Sequence, residues 1–81
     1  MNKVNMQTCF EIINECAINQ YDAKVEFGTM YFFLSEDDFR HVFEHQDLIR
    51  QLITPKYQIM FYDFGMKSVV ITLTRNLLWN K

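Results

Sequence analysis

Two stretches of this chain have the side-chain alternation and the turn residues of β-hairpins. In the first stretch, residues 23–34, the dipeptide Gly28-Thr29 suits a two-residue type II′ turn, because Gly takes the first central position of that turn. This turn pairs Phe27 with Met30 and makes one face of the hairpin entirely apolar. A slip of one residue would exchange the two faces, so the pattern specifies which side chains share a face.

A second hairpin is predicted over residues 57–74, with Asp63-Phe64-Gly65 as a three-residue loop and Gly in the left-handed position. In this register Ile59 pairs with residue 69 of the returning strand. The apolar face of the hairpin consists of Tyr57, Ile59, Phe61, Val69, Ile71 and Leu73.

A helix is predicted over residues 5–20, where apolar residues recur at i, i+3, i+4 and i+7 and form one stripe. Asn5 is its predicted N-cap, and Asn19 is predicted to end it, because Asn tolerates the left-handed conformation found after many helices. The stripe contains Cys9 and Cys16. A helix would hold their Cα atoms about 10 Å apart, whereas a disulfide requires less than about 7 Å. We therefore expect reduced thiols, which are typical of a cytoplasmic protein.

A second helix is predicted to begin at Ser35, whose hydroxyl suits the N-cap, with Asp38 in the N3 position of a capping box. The helical phase of the apolar residues drifts in the second half of this segment. The drift predicts a kink or break near residues 45–47, with Asp47 capping the second piece. Pro55 ends the segment, because the residue before a proline is steered out of helical geometry.

These elements follow the order α-β-β-α-β-β. The simplest assembly is an α+β fold in which a four-stranded, mostly antiparallel sheet carries both helices on one face. A length of 81 residues predicts that residues 1–81 form a single domain. A composition of 49% hydrophobic residues with a formal net charge of −2 is typical of a soluble globular protein. No apolar run has the character of a signal peptide or the length of a membrane span.

The sequence contains no pattern that indicates catalysis or a cofactor, so we expect neither. Both cysteines lie on the predicted buried stripe, where a thiol behaves as a small apolar side chain. His41 and His45 are one helical turn apart and have the spacing of two zinc ligands, but no further Cys or His has a suitable spacing. A small metalloprotein built on His41 and His45 is therefore a minor hypothesis, and a solvated polar face is the simpler interpretation.

The most informative prediction concerns the face of the sheet opposite the helices. An exposed apolar face usually marks an interaction surface, and aromatic and Met residues are enriched in interface cores. The apolar C-terminal segment offers a different explanation, since it would cover this face from within the chain. Leu48 and Leu52 form a second, weaker candidate patch. The predicted partner-binding residues are Tyr31, Phe33, Met60, Tyr62, Met66, Val70, Leu77 and Trp79.

The leading hypothesis is a small protein-binding module that inhibits or regulates a larger protein, or that pairs with itself as a homodimer. The abundance of Asn, Lys, Ile and Phe resembles that of proteins from AT-rich mobile elements such as bacteriophages, which makes an inhibitor of a host enzyme or defence system a specific form of this hypothesis. The alternative is a single-stranded nucleic-acid binder that stacks bases on exposed aromatic residues. The absence of a Lys/Arg cluster argues against a nucleic-acid partner. A membrane partner is not expected.

Overall fold

The computed structural model describes residues 4–74, which form an α+β fold. Within these residues there are three helices and one four-stranded sheet, so the structure has one helix more than the sequence predicts. The elements are α1 (Met6–Cys16), β1 (Asp22–Glu26), β2 (Thr29–Leu34), α2 (Glu36–Glu44), α3 (Gln46–Ile53), β3 (Tyr57–Phe64) and β4 (Met66–Leu73).

The strands lie in the order β1-β2-β4-β3, and every neighbouring pair is antiparallel. The two hairpins therefore meet through β2 and β4 at the centre of the sheet, while β1 and β3 form its edges. The sequence predicts the strands and the predominantly antiparallel pairing, but it does not predict this order. Within residues 4–74, no helix has both the length and the apolar character needed to cross a bilayer.

The turn of the first hairpin lies one residue earlier than predicted. Phe27 and Gly28 occupy its centre with φ angles of 51° and 77°, the positive pair that a type I′ turn requires. Val25 consequently pairs with Met30, where the predicted type II′ turn would place Phe27. This is a shift of two residues, and a strand has a side-chain period of two. The prediction of the register was wrong, but the assignment of side chains to the two faces is confirmed.

The second hairpin differs from its prediction in the same way. Ile59 pairs with Ile71 instead of Val69, and the strands stay paired up to Phe64 and Met66, on either side of Gly65. The φ of Gly65 is 69°, so the predicted left-handed glycine is confirmed. The shift is again two residues, and the predicted apolar face again points towards the helices.

Helix α1 begins as predicted but ends earlier. The Asn5 side chain accepts from the Thr8 N–H at 2.9 Å, and the Asn5 N–H donates back to the Thr8 hydroxyl, which forms a capping box. The helix ends at Cys16, whereas the sequence predicts helix up to residue 20. The backbone N–H groups of Ile18 and Asn19 bind the carboxylate of Asp38 instead of continuing the helix.

Asp38 is the only charged residue buried within residues 4–74, with 2% of its surface exposed. Its carboxylate accepts from the N–H groups of Ile18 (3.2 Å) and Asn19 (3.0 Å) and from Asn19 Nδ2 (3.3 Å). Its own N–H donates to the hydroxyl of Ser35, which confirms Ser35 as the N-cap of α2. The predicted role of Asp38 in a capping box was wrong. Its carboxylate instead binds the segment after α1 and so links that segment to the first turn of α2.

The predicted break in the second helix is confirmed at His45, which lies between α2 and α3. His45 provides no side-chain cap for α3, and Asp47 lies within the first turn of that helix, so the prediction of Asp47 as a cap was wrong. The break produces the third helix. It also allows Ile49 and Ile53 to reach the core, although the outer positions Leu48 and Leu52 remain about half exposed.

The core lies between the helices and one face of the sheet. Phe10 of α1 contacts Phe32 of β2 with ring centres 5.1 Å apart, and Phe39 of α2 contacts Phe61 of β3 with ring centres 5.8 Å apart. These contacts bind both hairpins to the same helix layer. The buried members of this single cluster are Cys9, Ile13, Ala17, Met30, Phe32, Leu34, Val42, Ile49, Ile53, Tyr57, Ile59, Val69 and Ile71.

The type I′ turn predicts a stabilising substitution. Phe27 is 92% exposed and adopts a positive φ, which costs a bulky residue about 1 kcal/mol and which Asn tolerates. Phe27→Asn is therefore expected to raise the free energy of unfolding by about 1 kcal/mol in urea denaturation. Phe64→Asn is the matched control, because Phe64 is also highly exposed beside a turn but has no positive φ. Equal effects from both substitutions would contradict the conformational explanation.

The buried carboxylate predicts a destabilising substitution. Asp38→Ala leaves the N–H groups of Ile18 and Asn19 without their acceptor and is expected to lower the free energy of unfolding by about 2–4 kcal/mol. Asp37→Ala removes an exposed carboxylate from the same helical turn and is expected to cost less than about 1 kcal/mol. Chemical denaturation of both variants compares them. Similar losses would show that Asp38 acts only through the helix dipole.

Candidate partner-binding surface

The side of the sheet that faces away from the helices is called here the open face. The strand registers arrange its side chains in rows that cross all four strands. The two central rows are Lys24, Tyr31, Val70 and Met60, and Asp22, Phe33, Ser68 and Tyr62.

A shallow groove lies across the middle of the open face. It runs over β2, β4 and β3 and combines aromatic, aliphatic and thioether groups with three hydroxyl groups of Ser and Thr. Its lining residues are Thr29, Tyr31, Met60, Tyr62, Ser68, Val70 and Thr72.

The centre of the groove is apolar because β2 and β4 carry apolar residues on both faces. Val70 is only 7% exposed although no helix of residues 4–74 covers it. Its neighbours in the row, Tyr31 on β2 and Met60 on β3, flank it from both sides. The groove therefore has a packed floor, with larger side chains beside it that a partner could contact.

Four of the residues predicted from the sequence line this groove together: Tyr31, Met60, Tyr62 and Val70. Their convergence follows from the period of the strands, because each occupies an alternate position on a strand next to another of the four. The Tyr62 hydroxyl also lies 3.5 Å from the sulfur of Met60, so two of these side chains contact each other directly.

The other predicted residues lie outside the groove. Phe33 is on the open face but lines a separate depression with Tyr21 and Asp22, and Met66 is exposed beside the turn at Gly65. The structure therefore does not place these two in one site with Tyr31. Leu77 and Trp79 lie outside the described residues.

Sequence reasoning did not single out the hydroxyl groups of the groove. Thr29 and Thr72 face each other across β2 and β4, with their hydroxyl oxygens 2.7 Å apart. Ser68 contributes the third hydroxyl. The alternation of residues 66–74 places Ser68 and Thr72 on this face, so the signal was present. Their role as lining residues depends on the strand order, which brings β2 beside β4.

The groove carries no formal charge, and the charges of the open face lie along one edge on β1. Lys24 Nζ is 3.6 Å from the carboxylate of Glu26 and 5.7 Å from the ring centre of Tyr31. Asp22 lies at the other end of the same strand. The edge therefore has one cation and two carboxylates beside an uncharged groove.

The two histidines of the metal hypothesis make structural hydrogen bonds instead of converging on a vacant site. His41 Nδ1 donates to the carbonyl of Cys16 at 2.8 Å, and His45 Nδ1 donates to the carbonyl of His41 at 2.8 Å. Their rings meet edge to face with centres 4.5 Å apart. Across residues 4–74, no group of three or more His, Cys, Asp or Glu side chains is arranged to hold a metal ion. His41 thus binds the last carbonyl of α1, and His45 binds a carbonyl of α2 at the break between α2 and α3.

The two cysteines lie on the buried side of α1 and are not bonded to each other. Burial raises the pKa of the fully buried Cys9 thiol to about 11. Burial and the nearby Glu15 carboxylate also raise the pKa of Cys16. A thiol reacts as its thiolate, so neither residue has the environment of an activated nucleophile.

No protein-family model matches this chain, and no curated protein and no solved structure matches it significantly.

The raised thiol pKa values predict slow alkylation. At pH 8 we expect a maleimide to modify the partly exposed Cys16 before Cys9, and both thiols to react quickly only in denaturant. Peptide mapping by mass spectrometry after timed exposure measures the two rates. Faster modification of Cys9 than of Cys16 would contradict the burial of Cys9 in α1.

The raised pKa of Cys9 should also lower the free energy of unfolding above about pH 9. The reason is that the unfolded Cys9 thiol ionises there, while the folded one does not until about pH 11.

Proposed function

We propose that this chain is a protein-binding module and that the groove on the open face is its binding surface. The observation that carries the proposal is the combination of aromatic, thioether and aliphatic side chains in one uncharged groove. Interface cores are enriched in aromatic residues and Met and depleted in Lys, Glu and Asp, which is the composition found here.

The surroundings of the groove support a protein partner. Hot-spot residues of interfaces lie at the centre and are surrounded by contacts that exclude water. Tyr31 and Met60 occupy the centre here, and the charged residues Asp22, Lys24 and Glu26 lie along the β1 side. A partner with an apolar centre and mixed charges at its rim is complementary to this arrangement.

The mode of action that fits such a module is occlusion or adaptation of a larger protein. A domain of this size that places its chemistry on one sheet face changes the partner by covering a surface, so an inhibitor or regulator is the specific form we propose. Self-association through the same face is the other form. The bacteriophage or mobile-element origin rests on composition alone and remains a prediction.

A single-stranded nucleic acid is the second candidate, because Tyr31, Phe33 and Tyr62 offer rings on which bases can stack. The charge distribution disfavours it. Lys24 is the one cation on the open face within residues 4–74, and it already pairs with Glu26. Phosphate groups would therefore meet a net negative edge.

The protein-binding proposal predicts that a charge in the groove abolishes binding without unfolding the domain. Tyr31→Asp and Tyr62→Asp are expected to weaken partner capture by at least about tenfold, because a buried unpaired carboxylate is costly in an interface core. The experiment is affinity capture from lysate of the source cell or its host, read by mass spectrometry.

The matched control is Leu48→Asp, which places the same charge at an exposed apolar position on α3, away from the open face. Unfolding curves establish that all three variants are folded. A partner lost with both tyrosine variants and kept with Leu48→Asp supports the proposal. A partner that all variants retain would contradict it, and binding of a labelled oligonucleotide at low salt would favour the second candidate instead.

A further inference from the structure

The outer edge of β3 can accept another strand. β3 is a terminal strand of the sheet and pairs only with β4 in the part of the chain that the structure describes. It extends from Tyr57 to Phe64 and contains no proline and one charged residue, Asp63. Edges that are long, apolar and free of proline or lysine tend to pair with another strand.

The hydrogen bonds of the hairpin show which backbone groups of β3 point outwards. The Thr74 N–H donates to the Lys56 carbonyl at 2.9 Å, so even-numbered residues of this segment bond to β4. In an antiparallel ladder the odd-numbered residues then direct their N–H and carbonyl groups to the other side. The outward N–H groups are those of Tyr57, Ile59, Phe61 and Asp63.

One side-chain contact agrees with this phase. Arg50 of α3 donates from Nη2 to the carbonyl of Ile59 at 3.2 Å, which places that carbonyl on the outer side of β3. A carbonyl oxygen has two lone pairs and can still accept from a backbone N–H. The Arg50 contact therefore satisfies one group of the edge without closing it.

The other edge of the sheet has the features that prevent pairing. β1 is shorter than β3 and carries Asp22, Lys24 and Glu26. Full antiparallel overlap of β1 with a second β1 would set Lys24 opposite Lys24 and Asp22 opposite Glu26. Like charges directly opposite each other destabilise a strand pair, and registers that avoid them shorten the overlap. The two edges thus differ in their capacity for self-pairing.

We propose that two copies of this chain pair antiparallel along β3, with the two-fold axis at Met60. Residues 57–63 of each copy overlap in this register. Ile59 exchanges both backbone hydrogen bonds with Phe61 of the partner subunit, and Asp63 lies opposite Tyr57 of the partner subunit. No like charges meet, and such a two-fold pairing closes after two copies.

The position of the axis follows from the residue that would face Asp63. Moving the axis to Phe61 would set the Asp63 carboxylate opposite Ile59 of the partner subunit, whose aliphatic side chain offers no polar atom. With the axis at Met60, the Asp63 carboxylate keeps its ion pair with Lys67 and faces a tyrosine. The dimer joins the two sheets into one, and the row Tyr31-Val70-Met60 continues into the same row of the second copy.

This dimer goes beyond the proposed function, because its bonds are made by the backbone of the β3 edge, although Met60 at the axis also lines the groove. It predicts a cross-link at the axis. Met60 would face Met60 of the partner subunit as a non-hydrogen-bonded pair, with Cα atoms about 4.5 Å apart, which suits a disulfide. Met60→Cys should therefore form a disulfide-linked dimer under mild oxidation.

Lys24→Cys is the matched control, because Lys24 occupies the corresponding central position of the other edge strand, β1, and the substitution leaves Asp22 opposite Glu26 to oppose pairing. Peptide mapping identifies the bond between the two introduced thiols. A dimer with Met60→Cys but not with Lys24→Cys is the expected result. Equal cross-linking by both variants, or none with Met60→Cys, would overturn the proposal.

The unmodified chain gives an independent readout. Sedimentation should show a dimer, and hydrogen exchange should protect the N–H groups of Tyr57, Ile59, Phe61 and Asp63. Met60→Lys should produce a folded monomer in which these four N–H groups exchange rapidly while the neighbouring even-numbered ones stay protected. Tyr31→Asp should remain dimeric, since Tyr31 lies two strands from the edge, so failure of the groove proposal and of the dimer are distinguishable. A monomer at every soluble concentration of the unmodified chain would overturn the dimer.

Discussion

The structure of residues 4–74 depends on a sheet that is apolar on both faces and that, within these residues, has helices on only one of them. β2 and β4 carry large apolar residues at consecutive positions, so burying Phe32 towards the helices directs Tyr31 and Phe33 to the other side. The helices of residues 4–74 all contribute to the same core cluster. The groove on the open face is therefore a consequence of how the core is built. The open face carries aromatic and thioether side chains, whereas the solvated face of an antiparallel sheet commonly carries polar side chains.

The helix layer is held in place by one buried carboxylate. Asp38 accepts from two backbone N–H groups of the segment after α1, and His41 donates to the carbonyl of Cys16, the last residue of α1. Both residues belong to α2, so a single helix positions α1 over the first hairpin. Without these bonds, α1 would depend mainly on apolar packing, in a domain small enough to bury only a modest share of its surface. The Asp38 carboxylate also explains why α1 is short, because it binds the N–H groups of Ile18 and Asn19 just after the helix ends.

The sequence predicts the helices, strands and faces because side-chain periodicity constrains them, and it misses what depends on exact turns and long-range polar contacts. Both hairpin registers were wrong by two residues, an error to which a period of two is insensitive. Asp38 was interpreted as a helix cap, since nothing local shows that a carboxylate will meet backbone groups about twenty positions away. The strand order, which brings Thr29 beside Thr72, is equally non-local. The four groove residues were predictable as members of one face, whereas their meeting in one groove depends on the strand order, as it does for Thr29 and Thr72.

The central claim, that the sheet face bearing Tyr31 and Met60 is open to a partner, is tested most directly by the accessibility of methionine methyl groups. The full chain, labelled at these methyl groups, is mixed with a soluble paramagnetic probe, and relaxation is measured by nuclear magnetic resonance. Met30 lies in the core and Met60 lines the groove, so they report on the two faces of one sheet. We predict strong relaxation of Met60 and none of Met30. Protection of Met60 equal to that of Met30 would show that the face is already covered and would contradict this account.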